Sequence, residues 1–381
     1  MKIGILTYHR AFNYGAYVQA YALSQQLTKR LPEHHIEIID FSYIDDVVKR
    51  ELVPYKVLLR FGYKRYLGVK HNYKAFLRGL KQLPLGKRII SNNHEKAIRK
   101  ICKQYDFVIV GSDAVFNWKK NPIPNIYFFN IDQCPHVTYA ASAHLNRYKD
   151  ASLEEKAYVA EALKKFSLLS TRDAETERFV EYFSGCETLH SCDPTVLLEF
   201  DYSTDALLDK IKRKGIDLSK PIVFVMLKDK SFGELAKTYF GENYTIIALK
   251  NANAYADVFL DDLTPLEWAR VFSYGKVTIT DFFHGSLLSL KNGTPVISID
   301  SSGYNGEYES KAKDLFCNRL SLPEFYMEAA QKELFFDKCA NIMDKDYAPI
   351  IEKALEQEAK TFDAFCERLS ALLIKEREKR G

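Results

Sequence analysis

Short apolar runs ending in Gly, Ser or Asp alternate along the chain with segments of helical periodicity, the pattern of a parallel sheet covered on both faces. An α/β fold is expected. Lys2 to Thr7 forms a first strand, a loop follows, and a helix then sets Ala20, Leu23, Leu27 and Leu31 near one face. With the strand Ile36–Ile39 this makes a βαβ unit. Further strands are predicted over Phe107–Val110, Val137–Ala141 and Phe166–Ser170, each separated by enough residues for a crossover helix.

A second series opens at Pro221–Leu227 and continues with Tyr244–Leu249, Lys276–Thr280 and Pro295–Ile299. Between them, Thr264-Pro-Leu-Glu267 reads as a helix start: Thr264 caps the amides, Pro265 suits the first helical position and Glu267 completes a capping box. The charged stretch Asp201 to Lys220 separates the two series. The expected layout is a Rossmann-like domain over 1–200, a second over 201–345, and a helix over 346–381 that packs across both. That helix is marked by Leu355, Phe362, Phe365, Leu369 and Leu372.

One stretch lies outside this scheme. Lysines and arginines of the segment at about 49–90 alternate with Tyr55, Phe61, Tyr63, Tyr66, Tyr73 and Phe76, and from Lys49 to Arg88 its only acidic residue is Glu51. Two readings stay open: a solvated helical face with inward-packed aromatics, or a peripheral dock for an anionic membrane or a lipid-linked acceptor.

Composition narrows the function classes. At 381 residues and 47% hydrophobic content, two cores are the natural expectation. Lys and Arg exceed Asp and Glu by 54 to 50, which gives no general case for nucleic-acid binding. The seven cysteines are scattered without a Cys-x-x-Cys pair, so free thiols in a reducing cytoplasm are expected. The apolar start Met1–Thr7 is too short for a signal peptide or a membrane span.

Ligands of open parallel sheets sit beyond the carboxyl ends of strands, and four strand ends carry candidate chemistry. After the first strand, Asn13-Tyr-Gly15 precedes a helix whose amides suit an anion. Gly111-Ser112-Asp113 delivers a carboxylate for proton chemistry, for sugar hydroxyls or for a helix cap. Arg172, in Thr171-Arg-Asp173, either grips a carboxylate or phosphate or pairs with a neighbouring acid such as Asp173. The fourth, Asp281-Phe-Phe-His-Gly-Ser286, puts imidazole, glycine and hydroxyl at a helix amino terminus.

Taken in order, Asn13-Tyr-Gly-Ala16 with Gln19–Leu23, Val110-Gly-Ser-Asp113, Tyr139-Ala-Ala-Ser142, Ser170-x-Arg-Asp173, Asp193-Pro-Thr195 and Phe283-His-Gly285 resemble the polysaccharide pyruvyl transferase family over roughly residues 2 to 317. The resemblance implies a two-domain fold similar to the GT-B glycosyltransferases. It also implies phosphoenolpyruvate in the cleft between facing domains, no metal or other cofactor, and a sugar or lipid-linked oligosaccharide acceptor. On this basis His284 and Asp113 are the expected catalytic pair. Asn13, Gly15, Arg172, Gly285, Ser286 and Lys311 are expected to hold the donor, and Ser112, Asn117, Ser142 and Asp281 the acceptor. The implied place is the cytoplasm, with peripheral contact at the inner face of the membrane.

Two departures stand out. Where many relatives carry Gln and Trp after Gly-Ser-Asp this chain has Ala114 and Phe116, and where they carry a small hydroxyl residue before Phe-His-Gly it has Phe282. Rival readings are a glycosyltransferase of the same fold using a nucleotide sugar and a non-catalytic sugar-binding protein. No clear ribose-binding acidic motif or Asp-x-Asp site supports the first, and Asp113, Arg172 and His284 together argue against the second.

Overall fold

The computed structural model describes residues 1–61, 63–117, 122–143, 148–203, 205–301 and 309–380. Within the helices over 44–61 and 63–79 it leaves out the side chains at 50, 51, 53–58, 61, 64 and 65, so the side chains of Tyr55 and Phe61 lie outside the description. Two compact units are present: Met1–Val53, Lys81–Leu198 and Ala359–Gly381 form the first, Pro54–Leu80 and Glu199–Glu358 the second.

The elements in chain order are β1 (Lys2–Leu6), α1 (Tyr14–Arg30), β2 (His35–Ile38), β3 (Phe41–Ser42), α2 (Ile44–Phe61), α3 (Tyr63–Gly79), β4 (Ile89–Ile90), α4 (His94–Cys102), β5 (Phe107–Asp113), β6 (His136–Ala141), α5 (Leu153–Lys164), β7 (Ser170–Thr171), α6 (Ala174–Ser184) and β8 (Leu189–His190). Then come α7 (Asp205–Arg213), β9 (Ile222–Met226), α8 (Ser231–Phe240), β10 (Thr245–Leu249), β11 (Val258–Leu260), α9 (Pro265–Val271), β12 (Gly275–Thr280), α10 (Phe283–Lys291), β13 (Val296–Asp300), α11 (Lys311–Lys313), β14 (Tyr326–Glu328), α12 (Phe335–Met343) and α13 (Ala348–Glu378).

In the first unit a parallel sheet runs in the order β2-β1-β5-β6-β7-β8. Its central strands carry apolar runs because helices cover both faces: Ile3, Ile5, Leu6 and Phe107–Val110 are fully buried. Strand order reverses direction between β1 and β5, whose registers join Leu6 to Val110. The run Phe166–Leu169, expected as strand, reaches regular pairing only at Ser170–Thr171. It still lies along β6, with Ser167 N donating to His136 O and Thr138 N to Leu168 O. Phe166 is instead absorbed in a ring cluster with Phe116 and His136.

The second unit holds another parallel sheet, ordered β11-β10-β9-β12-β13-β14, which reverses direction between β9 and β12. The α9 start has both capping-box bonds, Glu267 N to Thr264 Oγ1 and Thr264 N to the Glu267 carboxylate. The short edge strands β11 and β14 lack the unbroken apolar run of the central ones and escape a reading of hydrophobic pattern.

Residues Pro54–Leu80 of the basic insertion belong to the second unit, whereas the sequence places the insertion at about 49–90 within the 1–200 domain. The reason is local pairing: Arg78 reaches Asp262 at 2.6 Å, His71 faces Asp261 at 3.3 Å, and Phe76 is buried. Part of the positive charge of α3 is thereby neutralised within the unit. Likewise α13 is divided, its residues from Ala359 onward belonging to the first unit. Among the described residues no helix is long and apolar enough to cross a membrane.

Candidate functional site

Each sheet has one place where connections depart in opposite directions, and there the loops after adjacent strands open a crevice. In the first unit this lies beyond β1 and β5. A pocket of about 340 Å³ opens there, bordered by Tyr8, Arg10, Asn13, Tyr43, Asp113 and Tyr127 among others. Tyr8 and Tyr127 form an aromatic wall, ring centroids 4.5 Å apart, and Tyr8 is fixed by donating its hydroxyl to Ala114 O at 3.2 Å.

Asp113 ends β5 with a left-handed φ of 76°, a conformation aspartate tolerates better than most residues. Its carbonyl accepts from Val115 N and Ser142 N. The peptide segment is thus held while the carboxylate borders the pocket. Asn13 borders it too, but its side chain is the N-cap of α1 and accepts from Gly15 N at 3.1 Å.

Below one rim stands Asp40. It accepts from Arg10 at 2.5 and 2.7 Å and from Arg88 at 2.6 Å, and lies 3.2 Å from His9 Nε2. Burial works to raise the Asp40 pKa, and the bonds from His9 and Arg10 outweigh it, so the carboxyl is held below its ordinary value.

Arg172 does not face this pocket. It is buried, donates to Asp193 at 2.7 Å and has Asp173 at 4.0 Å, so the neighbouring-acid reading describes it, with Asp193 as the principal partner. Gln19 also donates to Asp193, at 2.6 Å. Burial would lower the guanidinium pKa, but the charges of Asp193, Asp113 and Asp173 reverse the direction and raise it. Three expected acceptor residues are likewise interior. Ser142 donates to Asp173 at 2.7 Å, Ser112 and Asn117 are buried, and none of the three borders the pocket.

In the second unit the crevice lies beyond β9 and β12. Thr280 Oγ1 donates to Met226 O at 2.8 Å and accepts from Phe282 N at 3.0 Å, tying the two strand ends together. Asp281 Oδ2 then accepts the backbone amides of Lys228 at 2.8 Å and Asp229 at 3.2 Å. Burial raises the Asp281 pKa, those two bonds opposing it. Its Oδ2 thereby anchors the loop after β9.

Phe282 is the N-cap of α10 and offers no side-chain acceptor. The ammonium of Lys228 lies 4.6 Å from its ring centroid and that of Lys250 4.4 Å. Lys311 lies 4.8 Å from the ring of the next residue, Phe283, which meets the His284 imidazole edge-on at 5.4 Å. Three lysines from three connections therefore surround the start of the helix that carries His284.

Gly285 and Ser286 serve packing. A Cβ at Gly285 would collide with Met226 Cε and stand 2.9 Å from Thr280 Oγ1, so glycine lets α10 lie close on the sheet. Ser286 is buried and donates to Ser298 Oγ at 2.8 Å. Lys228, Lys250 and Arg10 were not selected from sequence. All three lie in the connections after β1, β9 or β10, and the strand-end rule that locates His284 also selects them.

The whole chain resembles solved sugar-nucleotide enzymes in fold. A putative UDP-N-acetylglucosamine 2-epimerase from Listeria monocytogenes superposes with a TM-score of 0.58 at 10% identity, covering 99% of this chain and 97% of that one. The UDP-GlcNAc 2-epimerase from Neisseria meningitidis, solved with UDP-GlcNAc bound, gives 0.53 at 10% identity over 97% and 100%. The enzyme from Methanocaldococcus jannaschii gives 0.54 at 11% identity over 91% and 92%. No curated protein matches. Residues 13–303 match the family described as Polysaccharide pyruvyl transferase.

Proposed function

Given that the chain belongs to the polysaccharide pyruvyl transferase family, we propose that it moves the enolpyruvyl group of phosphoenolpyruvate onto two hydroxyls of a lipid-linked sugar, forming a pyruvyl ketal. The observation that carries this reading is the set of lysines at the start of α10 beside His284: Lys228, Lys250 and Lys311 suit a small donor bearing both phosphate and carboxylate.

In the proposed reaction the methylene carbon of phosphoenolpyruvate takes a proton and becomes a methyl group, leaving cationic character on the adjacent carbon. One sugar hydroxyl adds there and gives up its proton. The carbon–oxygen bond to phosphate breaks, a second hydroxyl closes the ring and releases its proton, and inorganic phosphate leaves. Of the two hydroxyl protons, one balances the proton placed on carbon and the other leaves with phosphate. His284 and Asp113 share these transfers. The aromatic pocket bordered by Tyr8 and Tyr127 suits a sugar ring, with Asp113 at its edge to orient and deprotonate a hydroxyl.

A second reading, transfer from a nucleotide sugar, draws on the UDP-GlcNAc bound by the Neisseria structure and on the same lysines, which also suit a diphosphate. Incubating purified protein with phosphoenolpyruvate and lipid-linked or nitrophenyl hexosides separates the two. Phosphate release with a pyruvyl mass increase on the sugar is expected, and both are expected to disappear in His284→Gln and Asp113→Asn with the melting temperature kept. Turnover of a nucleotide sugar with none of phosphoenolpyruvate would overturn the first reading.

A further inference from the structure

We propose that Lys228 and Lys250, which share the Phe282 ring at the carboxyl edge of the second sheet, form the clamp for the donor's phosphate group. The donor's identity rests on the reading above; the clamp itself rests on the arrangement of three side chains.

The arrangement gathers positive charge at an open edge of the sheet, for both lysines are exposed. Two ammonium groups from the connections after β9 and β10 approach a single ring to 4.6 and 4.4 Å, and the charge of Lys228 acts against that of Lys250. Neither lysine makes an ion pair among the described residues. Both also stand at the amino-terminal end of α10, where the helix dipole favours anions and disfavours cations.

The neighbouring acid does not resolve this. Asp281 eases the position of Lys250, yet the oxygen that bonds does so to the backbone amides of Lys228 and Asp229. Phe282 supplies a π face that holds each ammonium in place and has no oxygen with which to cap the helix. Lys250 moreover sits at φ 63°, a left-handed conformation that glycine adopts without cost and lysine does not.

A phosphate dianion answers the charge features together. It neutralises the two ammonium groups, accepts charge-assisted hydrogen bonds from both, and complements the positive end of α10. A carboxylate alone, with one charge and two coplanar oxygens, meets less of the demand. The clamp therefore selects phosphorylated over unphosphorylated pyruvate, and Phe282 acts as its floor.

Isothermal titration of the full chain with phosphoenolpyruvate, inorganic phosphate, pyruvate and UDP tests the assignment. The comparison sets the wild type beside Lys228→Gln/Lys250→Gln and the charge-retaining Lys228→Arg/Lys250→Arg. Phosphoenolpyruvate and phosphate are expected to bind the wild type better than pyruvate. The glutamine pair is expected to weaken phosphoenolpyruvate roughly tenfold per lysine removed, with no loss of thermal stability, and the arginine pair to retain most affinity.

Undiminished phosphoenolpyruvate binding by the glutamine pair would overturn the clamp and leave pyruvyl transfer standing. UDP binding that the glutamine pair loses, without any for phosphoenolpyruvate, would overturn the donor's identity and keep the clamp as a diphosphate site. Failure of the wild type to bind any of the phosphorylated compounds would overturn the clamp outright.

Discussion

Arg172 and Asp193 form a 2.7 Å ion pair with side chains only 3% and 1% exposed. A guanidinium so enclosed is a structural charge. Removing one member of a buried pair leaves the other uncompensated in a low-dielectric interior, at a cost of about 3–5 kcal/mol. Arg172→Ala is therefore expected to lower the unfolding free energy by about that much in urea titrations, and Arg172→Met with Asp193→Leu to recover a good part of it. A donor-binding arginine would instead raise the KM for phosphoenolpyruvate at unchanged stability.

Close approach of α10 to its sheet predicts a second outcome. The Cβ introduced by Gly285→Ala meets the end of Met226 and the Thr280 hydroxyl. Overpacking of this kind costs about 1–3 kcal/mol. Because the Met226 terminus is flexible, Met226→Ala in the same chain is expected to restore part of the lost thermal stability, as calorimetry can show. No restoration would place the strain elsewhere.

Stability is also expected to depend on pH through His136. Burial presses its pKa down to about 4, with the bond at 2.7 Å to Cys134 O opposing. A histidine with a depressed folded pKa contributes full stability above its unfolded value near 6.5 and loses it as pH falls towards the folded value. Between those limits the unfolding free energy should drop by about 3 kcal/mol. Chemical denaturation at pH 7 and pH 5 measures the slope, and His136→Phe should flatten it.

Donor binding should follow a different titration. Desolvation by neighbouring atoms first, then the charge of Lys228, lowers the Lys250 pKa to about 8, with Asp281 opposing, while the residue as a whole remains exposed to solvent. Lys250 is protonated below that value and neutral above it. Phosphate affinity of the wild type should accordingly weaken as pH rises through 8, and Lys250→Arg should remove that weakening up to pH 9. An unchanged profile in the variant would show that Lys250 does not meet the anion.

How far the site was legible follows from these residues. His284 and Asp113 stand where apolar runs end, and those runs locate strands well because both faces of a parallel sheet are buried. Arg172 was visible as a strand-end arginine, but its partner Asp193 lies beyond α6 and β8, and only the assembled sheet brings them together. Lys228 and Lys250 look in sequence like ordinary solvated lysines. Their shared contact with Phe282 depends on β9 lying between β10 and β12, an order that periodicity does not encode. The run Phe166–Leu169 shows the converse limit: an apolar segment can line a sheet and join a ring cluster while pairing regularly at only two residues.

The first unit takes its residues from widely separated stretches of the chain, Met1–Val53, Lys81–Leu198 and Ala359–Gly381. Tyr139, in its central strand β6, meets Phe365 at 4.7 Å and Phe362 at 5.7 Å, Thr361 accepts from Cys192 N at 2.8 Å, and Arg380 pairs with Asp106. During synthesis the strands of this sheet leave the ribosome long before the segment that seals it, so the nascent unit remains incomplete until residues from Ala359 onward have emerged. The second unit, whose residues all lie within 54–358, faces a shorter wait. Order of emergence and order of completion are therefore reversed: the half that begins to appear first is the last to close.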